Sequence, residues 1–223
     1  MRKLFMSMLA FVASVAALAQ NTETFKPYKN TALRLPSVPL VVSDPYFSIW
    51  SPYDKLTDGD TRHWTNDEKP LEGLLRVDGK TYRFMGSSER SASENSSSHA
   101  DVQTAKQKSV SVLATSTYYT FACGPVDLDV VFTAPMLIND YDLLSSPVNY
   151  ISYQVRSTDN KAHDVQFYLG ASTLLAVNKS NQSTVSSTVI KKGVTYLKTG
   201  TIEQPILAKT GDGINQFNRI EEP

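Results

Sequence analysis

Cysteine occurs once in the 223 residues, as Cys123, and histidine three times. A single thiol excludes any disulfide within the chain and any structural zinc site built from several thiolates. Three histidines leave few ways to assemble a metal site or a catalytic triad. The chain also lacks a charge of one sign, because 22 Lys+Arg cancel 22 Asp+Glu. Without a basic surplus there is no electrostatic footprint of a nucleic-acid binder. Beyond Gln20 helical periodicity is almost missing, and there is no Gly-rich phosphate loop, no nucleophile elbow and no repeat of fixed period. With 41% hydrophobic residues the chain can bury an ordinary core and is not disordered by composition. Its length fits one or two domains.

The beginning of the chain reads as an export signal. Arg2 and Lys3 form a positive start, Leu4 to Ala16 is apolar, and Ala17-Leu18-Ala19 before Gln20 fits the small-x-small pattern of signal peptidase. The apolar run is shorter than the roughly 20 residues a spanning helix needs. The expectation is a signal peptide over residues 1–19 and a mildly acidic mature chain from Gln20. That chain is exported to the periplasm or the extracellular space, with no membrane attachment after cleavage.

The rest alternates with period 2 between turn residues, the pattern of strands with one wet face. Val126, Leu128, Val130 and Phe132 share a face, with Asp127 and Asp129 on the other. Gly124-Pro125 joins this run to Ser116–Ala122 as a hairpin. Leu74–Val77 and Lys80–Met85 form a second hairpin through Asp78-Gly79, the two-residue signal of a type I′ turn. A third is expected to pair Val148–Arg156 with Ala162–Leu169 through residues 157–161. Further β-rich runs cover Ala171–Val177, Thr184–Lys191 and Val194–Lys198. Pro36–Pro52, with four prolines, reads as an extended arm laid across the sheets, and Gly86–Ser98, with seven serines, as an exposed loop.

The fold class is therefore all-β and antiparallel, a sandwich or an open barrel and not a parallel α/β fold. The expected divisions are residues 1–19 as signal peptide, 20–66 as extended arm and loop, and 67–223 as the β-rich domain.

Chemistry concentrates between Asp54 and Trp64. Asp58, Arg62, His63 and Trp64 are the ligand-facing candidates, since an aromatic beside a guanidinium and a carboxylate offers stacking and hydrogen bonds to a small polar ligand. The competing reading has Trp64 plugging a domain interface while the acids solvate a turn at Gly59. The spacing does not match a calcium loop. His163 alternates in phase with Val165, Phe167 and Leu169, so it reads as a hydrogen-bonded histidine on the apolar face, with Asp164 pointing away. His99 and Asp101 border the serine-rich loop without further ligands. Cys123 reads as an inert buried thiol. Asn95, Asn178 and Asn181 begin glycosylation sequons. No metal, no cofactor and no nucleic acid is called for, and the catalytic residues stay unassigned.

Several blocks resemble the start of secreted glutaminase A-like proteins. These are Leu35–Val42, Asp44-Pro45-Tyr46-Phe47-Ser48-Ile49-Trp50-Ser51, Leu56–Gly59 and Arg62-His63-Trp64-Thr65, then Gly73–Gly86, Ser145–Tyr150, Arg156–Asp159 and Ala162–Val165. The resemblance runs from about Leu35 to about Gly211. It implies that residues 67–223 are an antiparallel β-sandwich of the supersandwich kind, truncated at its C-terminal end, that precedes a helical catalytic domain like those of six-hairpin glycosidases, missing from this chain. It also implies an activity that converts L-glutamine to glutamate and ammonia in the longer proteins. The chain is then the non-catalytic N-terminal portion, inactive alone, with that helical domain as its partner. Two alternatives stay open. One is the sandwich domain of a carbohydrate-active hydrolase, and the other a free-standing exported binding module.

Overall fold

The computed structural model describes residues 23–31, 34–45, 47–87, 102–177 and 179–203. The signal peptide at 1–19, most of the serine-rich loop, His99, Asp101, Asn95, Asn178 and the chain end beyond residue 203 lie outside the described residues.

Thirteen strands and almost no helix are found among the described residues. β1 (Val38–Val42), β2 (Ser48–Ser51) and β3 (Arg62–His63) form a small sheet. β4 (Leu71–Val77), β5 (Lys80–Met85) and β6 (Val102–Thr104) are joined by β11 (Val165–Ala171) in the order β11-β4-β5-β6. β7 (Lys106–Val112), β8 (Ser116–Cys123), β9 (Val126–Thr133) and β10 (Tyr150–Ser157) make the second four-stranded sheet in chain order. β12 (Thr184–Lys191) and β13 (Val194–Thr201) pair with each other. One short helix, α1 (Tyr141–Ser145), is capped by the Asp140 carboxylate, which accepts from the Leu143 amide at 3.0 Å.

The local reasons are those of the turn chemistry. Asp78 and Gly79 both sit at positive φ, 48° and 85°, as a type I′ turn requires, and Lys192-Gly193 repeats this between β12 and β13 with 51° and 77°. Gly124, at φ 61°, turns β8 into β9. Every pairing between named strands is antiparallel except β5 with β6, which run parallel.

The two four-stranded sheets pack face to face. Phe84 of β5 meets Phe121 of β8 at 5.6 Å between ring centroids, and one core unites Leu75, Val77 and Phe84 with Phe121, Leu128 and Phe132. Burial of this apolar surface, about 1.5–3 kcal/mol for each large side chain, is the main force holding the layers together. Val38, Leu40 and Ile49 of the small sheet belong to the same core.

Four expectations are corrected. The third hairpin does not form, because β10 pairs with β9 and β11 with β4, so residues 158–164 cross from one sheet to the other. The proline-rich arm is folded back on itself as the β1–β2 pair, with a bulge between Pro39 and Val41. Ala171–Val177 closes as a 3-10 turn over Thr173–Ala176 after β11 ends, with Ser172 as its cap. Finally, Asp127 and Asp129 are buried and not wet. β9 lies between two neighbours, and the long side chains of Lys108 and Arg156 fold over its outer face to reach the two carboxylates at 2.7 and 2.8 Å.

Candidate functional site

The segment that carries the candidates is organised by β3. Its two residues pair with β2, His63 opposite Ile49 and Arg62 opposite Trp50. A tight loop follows, closed by the Asn66 amide on the His63 carbonyl and by the His63 amide on the Asp67 carbonyl, both at 2.8 Å, with Asn66 at φ 77°. Thr61 locks the base of the loop: its hydroxyl donates to the Lys69 carbonyl at 2.6 Å and accepts from the Leu71 amide at 2.8 Å.

This arrangement brings Arg62, His63 and Trp64 to a recess of about 310 Å³, completed by Trp50, Pro52, Ser37 and Asn66. Asp58 does not line it. Asp58 is exposed in its own turn, where its carboxylate accepts from the Lys55 amide at 3.3 Å. The other acids of the segment are also placed apart, Asp54 in a bidentate pair with Arg34 and Asp60 on the Ser87 amide.

The polar atoms around the recess are bonded within the chain. His63 is buried, and its Nε2 lies 3.1 Å from the Pro45 carbonyl, an acceptor only, so Nε2 carries the proton. Nδ1 then accepts from the Thr65 amide at 3.3 Å. The Trp64 indole also donates to the Pro45 carbonyl, and the Trp50 indole to the Ser48 hydroxyl. Arg62 donates to the Asn66 carbonyl at 2.9 Å and to Glu68 at 3.1 Å, and its guanidinium is held above the usual range, chiefly by a hydrogen bond with Tyr53. Trp64 is nevertheless 61% exposed, its ring 5.5 Å from that of His63. The recess therefore presents aromatic faces more than unpaired hydrogen-bonding groups.

His163 is not in the apolar core. It precedes β11, and its ring lies between two carboxylates, Nδ1 at 2.6 Å from Asp78 and Nε2 at 2.8 Å from Asp159. Those partners lie 85 and 4 residues away. The nearer one, at i−4, was visible in the sequence; the farther one depends on the fold. Two buried or half-buried cations were also not foreseen. Arg83 donates to the carbonyls of Thr57 and Gly86, and burial pulls its pKa down. Lys69 reaches the carbonyls of Leu174 and Val177 at 2.7 and 2.6 Å and so fastens the 3-10 turn, with its pKa lowered by burial. Cys123 is fully buried and its thiol is pushed up to about 12 by burial, which leaves no thiolate at neutral pH. Among the described residues no group of three His, Cys, Asp or Glu could hold a metal ion, and no helix is long and apolar enough to cross a membrane.

Comparison with known proteins gives two family matches and a curated relative. Residues 10–93 match a family described as Domain of unknown function (DUF4964), and residues 115–218 one described as Domain of unknown function (DUF5127). The chain is homologous to Glutaminase A of Aspergillus oryzae (strain ATCC 42149 / RIB 40), with 30% identity over 187 residues, 79% of this chain. It spans 24% of that relative's length. No solved structure matches. The two family segments are interlocked: β11, within the second, completes the sheet of β4 and β5, within the first.

Proposed function

We propose that this chain is the non-catalytic N-terminal β-sandwich of an exported glutaminase-like amidohydrolase, and that hydrolysis of L-glutamine belongs to a helical catalytic domain outside it. The observation that carries this reading is the homology to Glutaminase A, which covers most of this chain yet only 24% of the relative.

The side-chain chemistry supports it. Amide hydrolysis needs an activated nucleophile, a proton shuttle and an oxyanion site held together. Here the one thiol is buried and protonated, His63 is committed to Pro45 and Thr65, and His163 to two carboxylates. The surface supports a partner as well. Met136, Leu137, Ile138 and Tyr141 are all more than half exposed in the stretch before and at α1, as is Tyr150 of β10. The recess at Arg62, His63 and Trp64 is the ligand-facing or partner-facing part of the sandwich, with Asp58 in the adjoining turn. Export through residues 1–19 puts the protein in the periplasm or outside the cell.

An ammonia-release assay with L-glutamine on the purified chain tests the reading. No turnover is expected from the chain alone. Sustained turnover that His63→Ala abolishes overturns it. Mass spectrometry of the exported protein checks the new N-terminus at Gln20.

A further inference from the structure

We propose that His163, held between Asp78 and Asp159, is a protonation-dependent latch that fastens the crossover between the two sheets to the β4–β5 turn. The inference is independent of the glutaminase reading. Three of the sequence blocks singled out above, those containing Asp78, Asp159 and His163, meet at this one point.

The geometry favours the imidazolium form. Both ring nitrogens stand within hydrogen-bonding distance of carboxylate oxygens, at 2.6 and 2.8 Å. Ionised carboxylates only accept, and only the imidazolium form of histidine has two N–H donors. Both carboxylates are ionised through the neutral range, because both are held below their ordinary value of 3.8, and each accepts other donors as well. Asp78 takes the Asp164 amide at 3.0 Å; Asp159 takes the Ser157 hydroxyl and the Lys161 amide, each at 3.0 Å. Both acids are held below the ordinary carboxylate range, chiefly by the bond from His163. A neutral ring keeps one contact and turns a lone pair toward the other carboxylate.

The position gives the latch its effect. The crossover is tied to the β4–β5 turn through His163, through the Asp78 amide on the Asp164 carbonyl and through the Asp164 amide on the Asp78 carboxylate. It is tied to the β8–β9 turn by Thr158, whose amide and hydroxyl donate to the Pro125 carbonyl at 2.9 and 2.8 Å. One end of both sheets is thus joined through residues 158–164. The charged groups facing the ring are Asp78 from the turn and Asp159 from the crossover. Lys161 reaches the far oxygen of Asp159 at 3.9 Å, and Asp164 contacts Asp78 through its backbone. The ring itself is sheltered, its side chain 8% exposed.

The sign follows. His163 has its pKa raised, first by Asp159 and then by Asp78, so its contribution is complete below the ordinary value of 6.5 and is lost as pH rises through the folded value. The lowered carboxylates contribute above their ordinary value of 3.8 and lose that contribution as pH falls through their folded values. The latch is closed in mild acid and opens on the alkaline side.

NMR of the full chain from pH 5 to 9 tests this, with the His163 ring signal assigned by its loss in His163→Gln. The protection factor of the Asp164 amide is followed in parallel. The expected result is a His163 midpoint above 6.5 and a several-fold loss of Asp164 protection through that midpoint, with the midpoint moved down in both Asp78→Asn and Asp159→Asn. If His163→Gln does not fold, ring labelling of histidine in His63→Gln and His99→Gln assigns the His163 signal by elimination and the two Asn variants carry the test. A midpoint at or below 6.5, or Asp164 protection that ignores it, overturns the proposal.

Discussion

Tyr153 of β10 and Phe167 of β11 lie face to face, their ring centroids 3.8 Å apart and their planes within 1°, although the two strands belong to opposite sheets. Phe167 also stacks on Phe84 at 5.5 Å, which links the rim of the sandwich to its centre. Aromatic pairs of this kind contribute about 0.5–1.5 kcal/mol beyond area burial. A double-mutant cycle of Tyr153→Ala and Phe167→Ala, read by urea unfolding, is expected to show coupling of that size. Phe167→Ala is the costlier single change, because Tyr153 is half exposed.

Gly73 stands where a Cβ would come within 2.3 Å of the Phe84 ring, and Phe84 is fully buried. Gly73→Ala is expected to destabilise the chain by about 1–3 kcal/mol through overpacking. Phe84→Leu alone also destabilises, yet the pair together is expected to cost less than the sum. Thermal melts of the three variants decide between additivity and relief.

Asp129 is buried on the outer face of β9, where it accepts from Thr120 at 2.8 Å and from Arg156 Nε at 2.9 Å. Asp129→Ala is expected to cost about 1.5–3 kcal/mol, the usual worth of hydrogen bonds to a charged group. Arg156 is half exposed on its side, so Arg156→Ala is expected to cost less, although it leaves the carboxylate one donor short. Equal losses in urea denaturation would contradict this ordering.

The two family segments are not separate folding units, because among the described residues β11 is the neighbour of β4 on that side. Residues 20–93 and 94–223, expressed apart, are each expected to lack the dispersed amide spectrum of the whole chain and to regain it when mixed. A dispersed spectrum from either piece alone defeats the prediction.

Much of this was legible in advance. The alternation in Val126–Phe132 marks the inward face with Val126, Leu128, Val130 and Phe132, because period 2 is a local property of a strand with one buried side. The Asp78-Gly79 turn was equally local. The partner choice of β10 and β11 was not, since closeness in sequence favours a hairpin while the layered core rewards pairing each strand with a more distant neighbour. Asp127 and Asp129 misled for a related reason: burial of a polar face depends on Lys108 and Arg156, which lie on other strands. At the site, the sequence placed Arg62, His63 and Trp64 together because they are consecutive. It could not separate Asp58 from them or find Asp78 for His163, because those facts are set by the fold.

The closing of β4 by β11 also has a kinetic side. Asp78 and Asp164, which are joined at the end of that ladder by the Asp78 amide on the Asp164 carbonyl and the Asp164 amide on the Asp78 carboxylate, are 86 residues apart. At a synthesis rate of about 5–20 residues per second, roughly 4–17 s pass between the appearance of one and of the other. Through that interval β4 has no neighbour on one flank, and an unpaired strand flank is a template for wrong association. Any factor that holds the nascent chain unfolded until residue 171 has emerged would protect it, so the yield of folded protein should depend on such holding more than on the final stability of the sandwich.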